Sequence, residues 1–189
     1  MPPTPSISEA RARILAVAAD LFYREGFRVV GVDRIVAESG VAKMTFYRHF
    51  PSKDDLLVAV LEHRRQQWHE WLAERIEAHR AEGAGALSAI FDALEEWVGM
   101  PGFRGCPFAN TCAELADPNH PGHAVGVAHI EALMMRLEAA VRADGGSPAE
   151  PAAREILLLI NGALLCAALS ESAEPIHWAR RAAQRLVQP

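Results

Sequence analysis

The stretch 26-GFRVVGVDRIVAESGVAKMTFYRHFPSK-53 decides how this chain is read. Gly31 opens a short helix whose apolar residues Val32, Ile35 and Val36 share one face, and Ser39-Gly40 ends it. Val41 is the apolar residue of the turn after it, and a second short helix runs from about Lys43 to His49. Pro51 disfavours a helical Phe50, while Ser52 with Asp55 three residues later is the start signal of a further helix. Two short helices on a tight turn, locked through Val32, Ile35, Val36, Val41 and Phe46, make a unit stiff enough to lie in a major groove.

Base readout in such a unit falls to side chains near the N-terminus of the second helix. Lys43, Met44 and Thr45 stand there: an ammonium for phosphate or guanine, a thioether for a thymine methyl and a hydroxyl for either. Arg48 and His49 share its accessible faces. Tyr47, His49 and Lys53 sit nearer the backbone, where a phenol, an imidazole and an ammonium donate to phosphates. Spacing alone equally fits a small helical subdomain with a few surface bases, because periodicity does not identify a groove.

Charge separates this head from the rest of the chain. Residues 1–53 hold eight Lys and Arg against five acids, and the remaining 136 hold eleven against nineteen, for an overall formal charge of −5. A basic head on an acidic body is the layout of a local phosphate contact, not of a protein that coats nucleic acid.

Upstream, Met1 to Pro5 is a Pro-rich start and Ser6-Ile7-Ser8-Glu9 fits a capping box. Ile14, Leu15, Ala18, Leu21 and Phe22 then recur at helical spacing from about Ser8 to Gly26, where a left-handed stop is expected. Downstream, Leu56, Leu57, Val60, Leu61, Trp68, Leu72 and Ile76 mark a long helix over about 52–80. Gly83, Gly99 to Gly102, the loop Asp117 to Gly122 and Gly145 to Pro148 punctuate five more. These are expected near Leu87–Val98, within Phe103–Ala116, and at Val127–Val141, Pro151–Ser170 and Ile176–Val187. No segment alternates with period two, so the expected fold is all-α, about nine helices, with a helix-turn-helix domain at 1–53 and a helical domain at 54–189.

Gly40, Val41, Tyr47, Phe50 and Lys53, with Gly26-Phe27 ending the first helix, resemble the N-terminal domain of the TetR/AcrR family of bacterial transcriptional repressors. The resemblance covers roughly residues 8 to 60. It implies DNA contacts at Lys43, Met44, Thr45, Tyr47 and His49, with Lys53 on the backbone, and a second domain that binds a small molecule and dimerises. One departure stands out: the family usually carries Thr or Ser where this chain has Val30 and Gly31, so the hydroxyl contact to phosphate is missing and Arg28 or Arg34 is expected to substitute. The alternative is a small-molecule or metal-binding helical protein whose head has lost or altered its DNA function, motivated by Val30, Gly31 and the acidic net charge.

In the body, the eighth helix is apolar almost all round, and a ninth with Arg180, Arg181 and Arg185 on its outer face comes after it. Pairing with a second copy would form a four-helix interface, expected at Leu158, Leu165, Leu169, Trp178, Ala182 and Leu186. An effector pocket, mostly apolar, is expected among Trp68, Trp71, Phe91, Trp97, Phe103, Cys106, Phe108, Asn110, Met134 and Asn161, each of which reads equally as core. The effector is accordingly a small, largely apolar molecule.

Other classes find little support. Cys106, Cys112, Asp117, His120, His123 and His129 match no strong ligand spacing, so no metal and no cofactor are expected. A buried Cys106 reads as an inert thiol before a redox sensor. No G-x-S-x-G, P-loop or H-E-x-x-H occurs, so no enzyme is expected. Three cysteines and no N-terminal apolar h-region point to a reducing cytoplasm. The longest apolar run, Ile156 to Leu169, is interrupted by Asn161-Gly162 and is too short for a bilayer.

Overall fold

The structure is a computed structural model and describes residues 7–187. The expected Pro-rich start and the capping Ser6 lie outside the described residues. Among the described residues there are nine helices and no strand: α1 (Ile7–Glu25), α2 (Val32–Ser39), α3 (Lys43–His49), α4 (Lys53–Ala81), α5 (Ala86–Val98), α6 (Pro107–Glu114), α7 (Pro121–Ala143), α8 (Ala149–Ser170) and α9 (Glu174–Val187).

Local chemistry accounts for most of these bounds. Gly26 stops α1 at φ +94°, and Gly40 turns α2 into α3 at φ +63°, conformations an L side chain rarely adopts. At the start of α4 the Ser52 hydroxyl oxygen accepts from the Asp55 amide at 3.0 Å, the expected cap. The start of α7 differs from expectation by six residues. Pro121, read as a breaker, is the first helical residue, where its missing N–H costs nothing. His120 Nδ1 accepts the Gly122 N–H at 3.0 Å and so serves as the cap.

By compactness the chain divides into two units, neither of them one continuous segment. The first joins the residues up to Gln66 with Pro107–Gly126. It buries Ile14, Ala18 and Leu21 of α1, Ile35 of α2, Phe46 of α3 and Leu56 and Leu57 of α4. Phe22 and Phe27 meet edge to face at 5.3 Å across the end of α1. The compact unit thus extends along α4 to residue 66 and takes in α6 with the first turn of α7. The expected domain boundary at 53, with the fourth helix as link, differs from this line of compactness.

The second unit comprises Gln67–Cys106 and the described residues from Val127 onward. Its centre is α8, which buries Ile156, Ile160, Ala163, Leu164 and Ala167 and packs most extensively on α9. α5 buries Ala89, Ile90, Phe91, Ala93 and Leu94 and adds an acidic face that α9 meets. There Arg180 pairs with Asp92, and His177 Nε2 lies 2.9 Å from Glu95. Asp144, just past α7, accepts the Ala86 and Leu87 amides at 2.8 Å each and so caps α5 with a carboxylate at its positive end. By length and composition the 22-residue α8 could cross a bilayer, and here it buries one stripe against α9 and α5.

Candidate nucleic-acid interface

The orientation of α3 follows from one buried ring. Phe46 is fully buried, meeting Phe50 at 6.2 Å and Tyr47 edge to face at 5.2 Å, and this fixes the rotation of α3 about its axis. Lys43, Met44, Tyr47 and Arg48 consequently face solvent. Met44 is 78 % exposed, an open thioether that no core requirement explains. Thr45 and His49 are half-buried, and His49 Nε2 is enclosed without a hydrogen-bond partner among the described residues.

Charge on this face is partly occupied in the free protein. The Lys43 ammonium lies 2.7 Å from Asp33 of α2, whose hydrogen bond raises the lysine pKa above its ordinary value. Lys53 is held differently. Its ammonium sits 4.2 Å above the Phe27 ring, and burial pulls its pKa below the ordinary value against the pull of Asp54 and Glu114. A phosphate contact from Lys53 thus requires it to leave the ring. Arg48 makes no ion pair among the described residues.

The missing hydroxyl clamp has a structural reason. Val30 is buried, while Gly31 is the N-cap of α2 and offers no side-chain bond to its first turn. Of the two expected substitutes, Arg34 is already committed: it pairs with Glu25, and its Nε donates to Glu38 at 2.8 Å. Arg28 is exposed, its side chain in no ion pair among the described residues, and its neighbour Val29 is exposed as well. The Arg28 amide donates to Glu114 of α6 at 3.1 Å. Neither Asp33 nor Glu114 was legible in the sequence, since each meets its partner across 10 and 86 residues with no local signal.

The expected pocket residues fall into two groups. In the second unit Trp68 meets Trp97 at 5.3 Å, and Trp97 meets Phe103 at the same spacing, forming one aromatic chain. Beside it His129, 3 % exposed, shares a hydrogen bond of 3.2 Å with His69, two residues that sequence reasoning did not place together. Trp68 Nε1 is enclosed and without a partner among the described residues. Phe103 also lines a cavity of about 670 Å³ with Met100, Arg104, Leu165, Leu169 and Ser172. Phe91 is fully buried core, Trp71 and Met134 are half-buried and Cys106 is buried. Asn161 spends its amide on its own helix, donating to the Leu157 carbonyl at 2.9 Å. Phe108 and Asn110 belong to the first unit, and Asn110 is exposed. Among the described residues no three of His, Cys, Asp or Glu gather around a possible metal position.

The expected pairing residues divide between the α8–α9 groove and the cavity at Phe103, which Leu165 and Leu169 line. Leu158, Leu165, Leu169 and Trp178 are each more than half exposed. Leu158, Trp178, Ala182 and Leu186 line a groove of about 720 Å³ between α8 and α9, with Cys166 at its wall.

An exposed short helix, set by a glycine turn on a short partner helix and succeeded by a body that is helical among the described residues, defines the class of helix-turn-helix proteins with a helical second domain. Comparison with known proteins sharpens this. Residues 14–60 match the family model described as bacterial regulatory proteins, tetR family, and residues 83–183 match the tetracyclin repressor-like C-terminal domain. The chain belongs to the TetR family. A crystal structure of a TetR-family transcriptional regulator from Streptomyces coelicolor is 32 % identical, with 95 % of each chain covered and a TM-score of 0.84. The transcriptional regulator LmrA of Bacillus subtilis is 32 % identical over 51 % of this chain and 55 % of its own. The transcriptional activator FasR of Mycolicibacterium smegmatis is 30 % identical over 46 % and 41 %. The match thus spans about half the length of these curated relatives.

Proposed function

We propose that the protein is a ligand-responsive transcriptional regulator, a homodimer that reads a two-fold operator with α3 and is released from it by a small, largely apolar effector. The observation that carries this is the open face of α3. Phe46 anchors the helix from below, and Lys43, Met44, Tyr47 and Arg48 are exposed on its outer side, Lys43 and Met44 near the end that base readout uses and Tyr47 one turn on, with Lys43 paired to Asp33. Lys43, Thr45 and Arg48 supply donors, Met44 an apolar contact, and Tyr47, His49 and Lys53 donors toward phosphates.

The open leucine and tryptophan face of α8 and α9 supports the second copy. Four large apolar side chains more than half exposed on adjacent helices are what an unpaired two-fold interface presents. The aromatic chain Trp68, Trp97, Phe103 supports the effector's apolar character. α4 and α7 run through both compact units, so a ligand that moves either helix in the second unit also acts on the first. Effector and operator then favour different conformations, and each weakens the other's binding by the same factor.

The test is direct. Purified protein titrated with duplex from upstream of its own gene should bind it in preference to random duplex, with an affinity that falls steeply as salt rises. Equal affinity for the two duplexes at every salt concentration counts against the proposal. Transcription from that duplex with and without protein gives the sign: a fall makes it a repressor, the reading we prefer, and a rise an activator.

A further inference from the structure

We infer that Glu114, the last residue of α6, is a positioning residue for the reading helices, holding the α1–α2 turn in the arrangement that presents α3 to DNA. The inference rests on the DNA-reading function proposed above.

The turn comprises residues 26–31, and its backbone decides where α2 begins and therefore where α3 lies. Arg34 of α2 pairs with Glu25 of α1 across it, but its own residues at the far end supply no side-chain cap. Val30 is turned into the core and Gly31 has no side chain to bond the first amides of α2. A hold on the turn's own backbone comes from a helix that begins more than seventy residues later. One Glu114 oxygen accepts the Arg28 amide at 3.1 Å. The same carboxylate lies so close to Gly26 that a Cβ there would stand 3.1 Å from both oxygens and 3.3 Å from the carboxyl carbon. Gly26 is required by its φ of +94°, and a Cβ there would also press on the end of the Glu114 side chain.

Other groups brace the same turn from two sides. The Lys53 ammonium covers one face of Phe27, and the His120 ring meets Phe27 at 6.4 Å. Glu114 in turn attracts Lys53 electrostatically. A Cβ at Gly122, at the start of α7, would stand 3.0 Å from Leu115 and 3.4 Å from Leu61 of α4, so the segment that follows the carboxylate runs close to the long helix. The Glu114 bond is on the exposed side of the molecule, where a hydrogen bond adds little to stability. Its effect is on the geometry of the turn.

The experiment compares the full-length protein with its E114A and E114Q variants. Three quantities are measured: affinity for the upstream duplex, affinity for random duplex, and the hydrogen-exchange rate of the Arg28 amide. Gln keeps a carbonyl acceptor for that amide but loses the charge. E114A should bind the upstream duplex about five- to ten-fold more weakly with the thermal midpoint nearly unchanged, and its Arg28 amide should exchange faster. E114Q should restore both the affinity, to within about three-fold, and the slow exchange. Faster exchange in E114A with unaltered DNA affinity overturns the proposal, as does an E114Q variant as weak as E114A, which would make the charge near Lys53 the active feature. Absence of any preference for the upstream duplex in the unaltered protein overturns the DNA-reading function itself, and that outcome is distinguishable because it appears without a mutation.

Discussion

Leu158→Ala gives the sharpest test of the second copy. Leu158 lies on α8 with 72 % of its surface open, so its side chain contributes little to the fold of a single chain and should contribute much to a pair. Removing three carbons at about 0.8 kcal/mol each, scaled by that open fraction, amounts to about 1.7 kcal/mol per copy. A two-fold interface uses the residue twice, so the dimer should lose about 3.5 kcal/mol and its Kd should rise about 300-fold. Sedimentation velocity over a dilution series measures the Kd, and the thermal midpoint of the monomeric fraction checks that the chain still folds. A Kd unchanged in the variant would place the interface elsewhere. A variant that loses its fold along with its partner would show that Leu158 serves the chain's own core, against its exposure.

Three further outcomes rest on the same geometry. Asp33→Asn should free Lys43 from its 2.7 Å partner and remove a carboxylate from the DNA-facing side; the slope of log affinity against log salt should steepen by about 0.9, with random duplex gaining more than the upstream duplex, and an unaltered slope would mean that the pair has no bearing on DNA. Glu25 is held below the usual carboxylate range by its hydrogen bond from Arg34, against the opposing effect of burial; a depressed folded-state pKa stabilises at neutral pH and loses that contribution as pH falls through it, so Glu25→Gln should lower the thermal midpoint at pH 7 and match the unaltered protein in strong acid. Cys166 is exposed at the wall of the α8–α9 groove, whereas burial pushes the Cys112 thiol up; a maleimide should label Cys166 first in dilute protein and more slowly as concentration rises through the dimer Kd, and a rate independent of concentration would leave the groove uncovered.

The helices were legible because their signals are local. The bounds of α3 at Lys43 and His49 follow from Gly40, the apolar Val41 and Pro51, and Ser52 marks α4 by a cap made within four residues. Pro121 misled for a local reason too: a proline that breaks a helix and one that begins it differ only in what precedes it, and here the cap is an imidazole. The exposed row on α3 was legible once Phe46 was taken as its anchor. What the sequence concealed depends on pairings between distant residues. Nothing near Glu114 announces an amide 86 residues earlier, and nothing near Asp33 announces Lys43. The aromatic body residues show a second limit, since composition alone does not separate a ring that lines a cavity, such as Phe103, from one sealed in the core, such as Phe91.

The central claim, that a pair of α3 helices reads a two-fold site, is tested most directly by hydroxyl-radical footprinting of the upstream duplex. The unaltered protein should protect two stretches whose centres lie about 34–36 Å or a multiple apart along one face of the DNA, and K43A with Y47A should abolish both. A single protected stretch, uniform protection that follows salt alone, or a footprint that survives both substitutions would contradict it.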